Sequence, residues 1–261
     1  MDSKTRRIVI AERLRLEGEA SIVALASDFG TSEMTIRRDL DFLEMEGLAR
    51  RSRGGAISVR SRAFEPPILQ RATHMADAKR RIGAAGAALL REDETVVLDV
   101  GTTTLQMARA IRDDLSVTVV TASLLIATEL SAKPRVRTIV SGGEVRHGEM
   151  SLIGPSAEGA FAQFNCDTVF LGVAGINAAK GLSEYSLDDA SVKRTALGSG
   201  RRVVVLADSS KIGQVSFVTI APIELVDLLI TDASPDAPEI RRMKDRGVEV
   251  LHVEPFESQE A

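Results

Sequence analysis

Four short runs of β-branched and aliphatic residues constrain this chain more than any other feature: TVVLD at 95–99, VTVVT at 117–121, VRTIV at 136–140 and VVVL at 203–206. Stretches with helical spacing lie around them, at 82–90, 103–111, 124–130 and 187–197. A strand that is apolar without alternation must be covered on both faces, and helices between such strands supply the cover. The pattern predicts a mainly parallel α/β domain over residues 74–261, with further strands at 168–171 and 228–230 and a helix at 237–246. Ligands of such sheets bind beyond the carboxyl ends of the strands.

Those strand ends are rich in small polar residues. The first reads Asp99-Val100-Gly101-Thr102-Thr103-Thr104, strand into helix. Glycine lets backbone N–H groups approach an anion, the helix start adds partial positive charge, and three hydroxyls can donate to phosphate oxygens. The loop lacks the lysine of a P-loop and is not GxGxxG, so nucleotide binding is not indicated. Thr121 and Ser123 stand at the second end, Gly142, Gly143 and Glu144 at the third, Gly172 and Gly175 at the fourth, and Asp208, Ser209, Ser210 and Lys211 at the fifth. Each alone is accounted for by turn chemistry. Five together favour a pocket for a small polyhydroxylated anion, with Lys193 and Lys211 supplying charge and Asp99 and Glu184 binding sugar hydroxyls. A plain surface role suits these four charged residues equally well.

The N-terminal part has a different grammar. Leu25, Ala26 and Phe29 share one helical face, Gly30 allows a sharp exit, and Ser32 can cap the next helix with Glu33 in its first turn. Ile36, Leu40 and Leu43 form a buried stripe, so Met34, Arg37 and Arg38 point away from it and Thr35 lies on its flank. An exposed helix start of this kind suits a DNA major groove. Residues 48–51 and 56–59 can pair as a hairpin whose Arg50, Arg51 and Arg53 lie near phosphates, and residues 47–62 hold five Arg and no acid. An earlier helix over 4–17, with Ile10, Ala11 and Leu14 inward and Gly18 ending it, completes a winged helix-turn-helix over residues 1–59. Residues 60–73, with Pro66-Pro67, read as a stiff linker.

Charge follows this division: residues 1–62 carry 12 Lys and Arg against 10 Asp and Glu, and the remainder carries 21 against 27. Aromatic residues make up 3% of the 261, with no Trp and one Tyr, which excludes aromatic base-stacking platforms as the binding mode. The single Cys166 excludes an internal disulfide framework and fits a reducing cytoplasm. His74, His147 and His252 lack metal-ligand spacing, and no cofactor motif is present. No apolar run reaches the roughly 18 residues needed to span a bilayer, so a cytoplasmic location without membrane partners is expected.

SEMTIRRDL at 32–40 followed by RGGA at 53–56, with RR at 6–7 and LA at 25–26, resembles the DeoR-type bacterial transcriptional regulators. Ala24 stands where the family usually has an acid, and Arg53 where it often has His. The later blocks LDVGTTT, GGEVR, CDTVFLGVAGI, GLSEYSLDDASVKR and LADSSKIG resemble successive parts of that family's C-terminal domain, so the resemblance covers residues 4–252. It implies a ribose-5-phosphate isomerase/CoA-transferase-like fold and a phosphorylated sugar or related metabolite as effector. It further implies phosphate at Gly101, Thr102, Thr103 and Thr104, and a pocket formed with Glu184, Lys193, Asp208 and Lys211. Ala122 replaces a common Asn and removes an amide from that pocket.

The function expected is a repressor of a sugar-utilisation operon, partnered by double-stranded operator DNA and released by a phosphorylated sugar. One winged module reads a short half-site, so a homo-oligomer, dimer or tetramer, is expected. Two alternatives are a sugar-phosphate isomerase carrying a DNA-binding module and a DNA-architectural protein without effector. No spacing singles out a base and proton-shuttle pair, so the chain reads as a non-enzyme. The pocket-like strand ends argue against the architectural protein.

Overall fold

The computed structural model describes residues 2–17, 19–58, 62 and 65–254, without the side chains of residues 12, 15 and 16. The chain divides into two compact units, Met1–His74 and Met75–Ala261.

In the first unit, helix α1 (Ser3–Glu17) leads through a short strand β1 (Glu19–Ser21) into α2 (Ile22–Asp28) and α3 (Glu33–Met45). Strands β2 (Ala49–Ser52) and β3 (Gly55–Ser58) then form the wing. Ile10, Leu14, Ile22, Leu25, Ile36, Leu40 and Leu43 close into one buried core, with Ala11, Ala26 and Phe29 packed against it. Each such aliphatic side chain stabilises the unit by about 1.5–3 kcal/mol on burial, which outweighs the weak helical propensity of a seven-residue α2. Gly30 has φ +58° at the exit of α2. The wing has three strands in the order β1-β3-β2, so β1 is an addition to the expected two-stranded hairpin. Gly18 and Val59, expected to end α1 and β3, lie outside the described residues. The segment read as a linker contains a helix, α4 (Ile68–Thr73), because Pro66-Pro67 precede it and Pro67 serves as its N-cap.

The second unit is built on a seven-stranded parallel sheet. Helix α5 (Ala76–Ala88) precedes β4 (Glu94–Leu98), α6 (Thr102–Ala110), β5 (Val117–Thr121), α7 (Leu124–Leu130) and β6 (Val136–Val140). A hairpin β7 (Glu144–Arg146) and β8 (Ser151–Ile153), then α8 (Pro155–Phe161), lead to β9 (Cys166–Gly172). Strands β10 (Gly175–Asn177) and β11 (Gly181–Glu184) precede α9 (Leu187–Gly198) and β12 (Gly200–Leu206). Strand β13 (Val218–Ala221) joins β10 and β11 in a small antiparallel sheet, and β14 (Leu228–Thr231), α10 (Pro238–Lys244) and β15 (Glu249–His252) complete the unit.

The main sheet runs β15-β14-β12-β9-β4-β5-β6, every neighbour parallel. Val96, Leu98, Phe170, Val204 and Leu206 face one core with Ile82, Met107 and Ile126 of α5, α6 and α7. Val97, Val169, Leu171, Val203 and Val205 face the other with Phe161, Ala196 and Ile240 of α8, α9 and α10. Successive residues of one strand enter opposite cores, which is why these runs are apolar without alternation. Among the described residues no helix is long and apolar enough to cross a membrane.

Candidate functional site

Two surfaces concern function, one in each unit. In the first, the Ser32 hydroxyl caps α3 by accepting from the Thr35 N–H at 3.2 Å. With Ile36, Leu40 and Leu43 in the core, Met34, Arg37 and Arg38 are exposed and Thr35 is half-buried. Arg37 meets Glu33 at 3.4 Å on the open surface, a pairing worth about 0.3–0.5 kcal/mol and easily given up. Asp39 is fixed differently. It is buried, and its carboxylate accepts from Arg6 Nε at 2.6 Å and Arg7 Nε at 2.8 Å, while Arg7 lies 4.0 Å over the Phe42 ring. The RR pair and the acid of TIRRDL therefore clamp α3 to α1.

The wing explains RGGA. Pairing of Ser52 with Gly55 leaves Arg53-Gly54 as a two-residue turn, with Gly54 at φ +91°. A Cβ on Gly55 would stand 2.2 Å from the Ala20 carbonyl oxygen of β1, so only glycine fits the three-stranded wing. Arg50 and Arg53 are exposed. Arg51, expected beside them, is turned to α3: it pairs with Asp41, its Nη1 donates to the Arg37 carbonyl at 3.3 Å, and its N–H donates to Glu44 at 2.6 Å. Alternation along β2 puts Arg51 on the side of buried Ala49, away from Arg50.

In the second unit the five polar junctions follow β12, β9, β4, β5 and β6, consecutive strands of the sheet. They therefore line one edge. At the end of β4, Gly101 has φ +145° and α6 starts at Thr102. The first helical bond is from Leu105 N–H to the Gly101 carbonyl at 3.1 Å, so the amides of residues 102–104 precede the ladder. Thr104 departs from expectation: it is wholly buried and its hydroxyl donates to the Gly101 carbonyl at 3.0 Å, so it shapes the loop. Thr121 and Ser123 are also buried in turn chemistry, the first accepting from the Ser123 N–H at 3.0 Å and the second capping α7 at Ile126, 3.2 Å. Gly142, Gly143 and Glu144 are exposed at the sheet edge.

Asp99, Glu184 and Lys193 come together, but with one another. Lys193 Nζ lies 2.5 Å from Asp99, 3.2 Å from Glu184 and 2.8 Å from the Gly172 carbonyl, and the Gly172 N–H donates to Asp99 at 3.0 Å. All three side chains are buried, so the two carboxylates expected to meet sugar hydroxyls instead form a floor beneath the strand ends. Burial pushes Asp99 up to about 6, against the pull of Lys193. Burial also works against the Lys193 charge, but Asp99 and Glu184 outweigh it and hold the ammonium protonated.

The fifth junction is organised by Asp208, which is fully buried. One of its oxygens accepts from the Ser210 N–H at 3.1 Å and from the Ser210 hydroxyl, and the other lies 3.8 Å from buried Lys79 of α5. This turn carries Lys211, half-exposed, with Nζ 3.5 Å from the Tyr185 hydroxyl. Arg146 of β7 pairs with Asp189 of α9 at 2.6 Å, tying the GGEVR and GLSEYSLDDASVKR segments together. Lys79, Tyr185 and Arg146 escaped the sequence reading, since none belongs to a strand-end cluster of small polar residues.

A family described as the DeoR C terminal sensor domain matches residues 74–233, and one described as the DeoR-like helix-turn-helix domain matches residues 6–62. The chain belongs to the DeoR family of transcriptional regulators. DeoR relatives match almost end to end. The regulator GlpR of Haloferax volcanii is 36% identical over 248 residues, 95% of this chain and 96% of that protein. The glycerol-3-phosphate regulon repressor of Escherichia coli K12 is 30% identical over 250 residues, 96% and 99%. The transcriptional repressor AccR of Agrobacterium fabrum is 36% identical over 232 residues, 88% and 90%. Among solved structures, ribose 5-phosphate isomerase a from Methanocaldococcus jannaschii aligns at TM-score 0.40 and 14% identity over 52% of this chain and 54% of that chain, too slight a likeness to carry an argument. As a DeoR regulator the chain pairs a DNA-binding module with a sensor domain.

Proposed function

We propose that this DeoR regulator represses a sugar-utilisation operon and leaves its operator when a phosphorylated sugar or polyol binds at the strand ends of the sensor sheet. The observation that carries this is the alignment of five polar junctions along one sheet edge, with the amides of residues 102–104 ahead of the hydrogen-bond ladder of α6 and Lys211 on the turn that follows β12, two strands away. Thr102 and Thr103 supply hydroxyls, Gly101 gives close approach, and Asp99, Glu184, Lys193 and Asp208 hold the loops. Thr121, Ser123, Gly142, Gly143 and Glu144 shape the far side. One relative is named for a glycerol-3-phosphate regulon, which agrees with a phosphorylated polyol.

Ser32, Met34, Thr35, Arg37 and Arg38 face the major groove in this reading, and Arg50 and Arg53 the flanking phosphates; Arg51 steadies the recognition helix. The working form is a homo-oligomer, since two modules are needed for useful affinity. The relatives are transcriptional regulators, and we place no reaction at the Asp99–Lys193–Glu184 cluster.

The test uses an operator selected by the full chain from random DNA. It is titrated with and without glycerol 3-phosphate, fructose 1-phosphate, glucose 6-phosphate and ribose 5-phosphate, and with the four unphosphorylated compounds. At least one phosphate should weaken operator binding by about 5–150-fold, and Thr103→Val should blunt that response. Equal release by a free sugar and its phosphate would sink the phosphate loop.

A further inference from the structure

We propose that α5 is the lever by which the sensor site acts on the rest of the chain, with Lys79 the positioning residue that ties it to the site. This rests on the strand-end reading above. Helix α5 starts directly after Met75, the residue at which the chain passes from one unit to the other, and Met75 itself is left-handed at φ +53°. Whatever moves α5 therefore moves the point from which the DNA-binding unit departs.

Helix α6 and the strand-end turn after β12 hold α5. The first hold is backbone on backbone. A Cβ on Gly83 would stand 2.6 Å from both Gln106 C and Met107 N of α6, so α5 and α6 shift as one body. The first turn of α6 is the candidate phosphate loop. The second hold is Lys79, buried to 3% exposure, with Nζ 3.8 Å from Asp208, which is 0% exposed. Asp208 in turn organises the Ser209–Lys211 turn.

These two loops end β4 and β12, the strands on either side of β9. A ligand whose phosphate sits on the β4 loop and whose charge meets Lys211 draws them together, and α5 spans both. At 3.8 Å the Lys79–Asp208 pair is an ion pair between two buried groups. Removing Lys79 leaves the β4 hold and the ligand contacts in place but cuts the second tie.

The experiment follows hydrogen exchange in α5 of the full chain with each of the four phosphates, then operator release by Lys79→Met. In the wild type, the phosphate that releases operator should slow exchange at the amides of residues 79–83. Lys79→Met should bind that phosphate and the bare operator like the wild type, while the 5–150-fold release disappears. Wild-type release from Lys79→Met overturns the lever. Loss of phosphate binding by Lys79→Met also overturns it, because Lys79 would then be a ligand contact. If Lys79→Met does not fold, unchanged exchange in wild-type α5 on phosphate binding overturns it alone. Should none of the four phosphates bind the wild type, the site reading falls and the lever with it.

Discussion

The two units treat charge in opposite ways. In the first, Arg37, Arg38, Arg50 and Arg53 stand in water with weak partners or none among the described residues, while a buried acid, Asp39, clamps α3. In the second, Lys193, Asp99 and Glu184 are all buried and answer one another. A surface for a polyanion keeps its cations hydrated and movable, so they cost the fold little. A site for a small ligand must hold its loops before the ligand arrives, and buried ions do this at a cost that appears only when one partner is removed.

The largest effect that tests this contrast is expected from Lys193→Met. It leaves Asp99 and Glu184 buried without their cation and should cost about 3–5 kcal/mol, read as an earlier urea transition of the sensor unit. A cost under about 1 kcal/mol, the range of surface pairs, would show that the cluster is solvated and break the comparison.

Next comes pH. Folding raises Asp99 from 3.8 to about 6, so between these values the folded chain holds more protons than the unfolded one. Its contribution is therefore greatest below the unfolded value and is lost as pH rises through about 6, by up to about 3 kcal/mol. Other carboxylates pull the total the opposite way, so the quantity to measure is the stability of wild type minus that of Asp99→Asn across pH 4–6. A flat difference would remove Asp99 from the dry interior.

The smallest effects on the fold should come from the proposed DNA face. Arg38→Ala should leave stability within about 0.5 kcal/mol yet weaken operator binding by about 1–3 kcal/mol if Arg38 reads a base. Arg51→Ala sharpens the point: it should lower the stability of the first unit as well, because Arg51 bridges Asp41 and the Arg37 carbonyl. Equal stability losses from Arg38→Ala and Arg51→Ala would erase the distinction between presented and structural arginines.

Much of this could be read in the sequence where a period exists. The apolar runs gave the parallel strands because burial on two faces leaves no other pattern, and the Ile36, Leu40, Leu43 stripe fixed which way Arg37 and Arg38 point. The missed strands share a cause. Strands β1, β7, β8, β10 and β11 are three or four residues long, too short for a period to show. Sequence supplied Asp99, Glu184 and Lys193 as residues of one site, but residues 94 positions apart carry no sign that their side chains meet. Thr104 looked like its two neighbours until the chain's return to the Gly101 carbonyl used its hydroxyl. Arg51 was legible in principle, since alternation from Ala49 sends it inward.

Tyr185 has a consequence of a different kind. It is the chain's one tyrosine, there is no tryptophan, and its hydroxyl stands 3.5 Å from Lys211. The tyrosine emission of the whole protein thus comes from one ring at the rim of the candidate site, with an ammonium beside its phenol. Any molecule that draws Lys211 away changes the surroundings of that single fluorophore, so the native chain carries its own optical gauge of occupancy and needs no label.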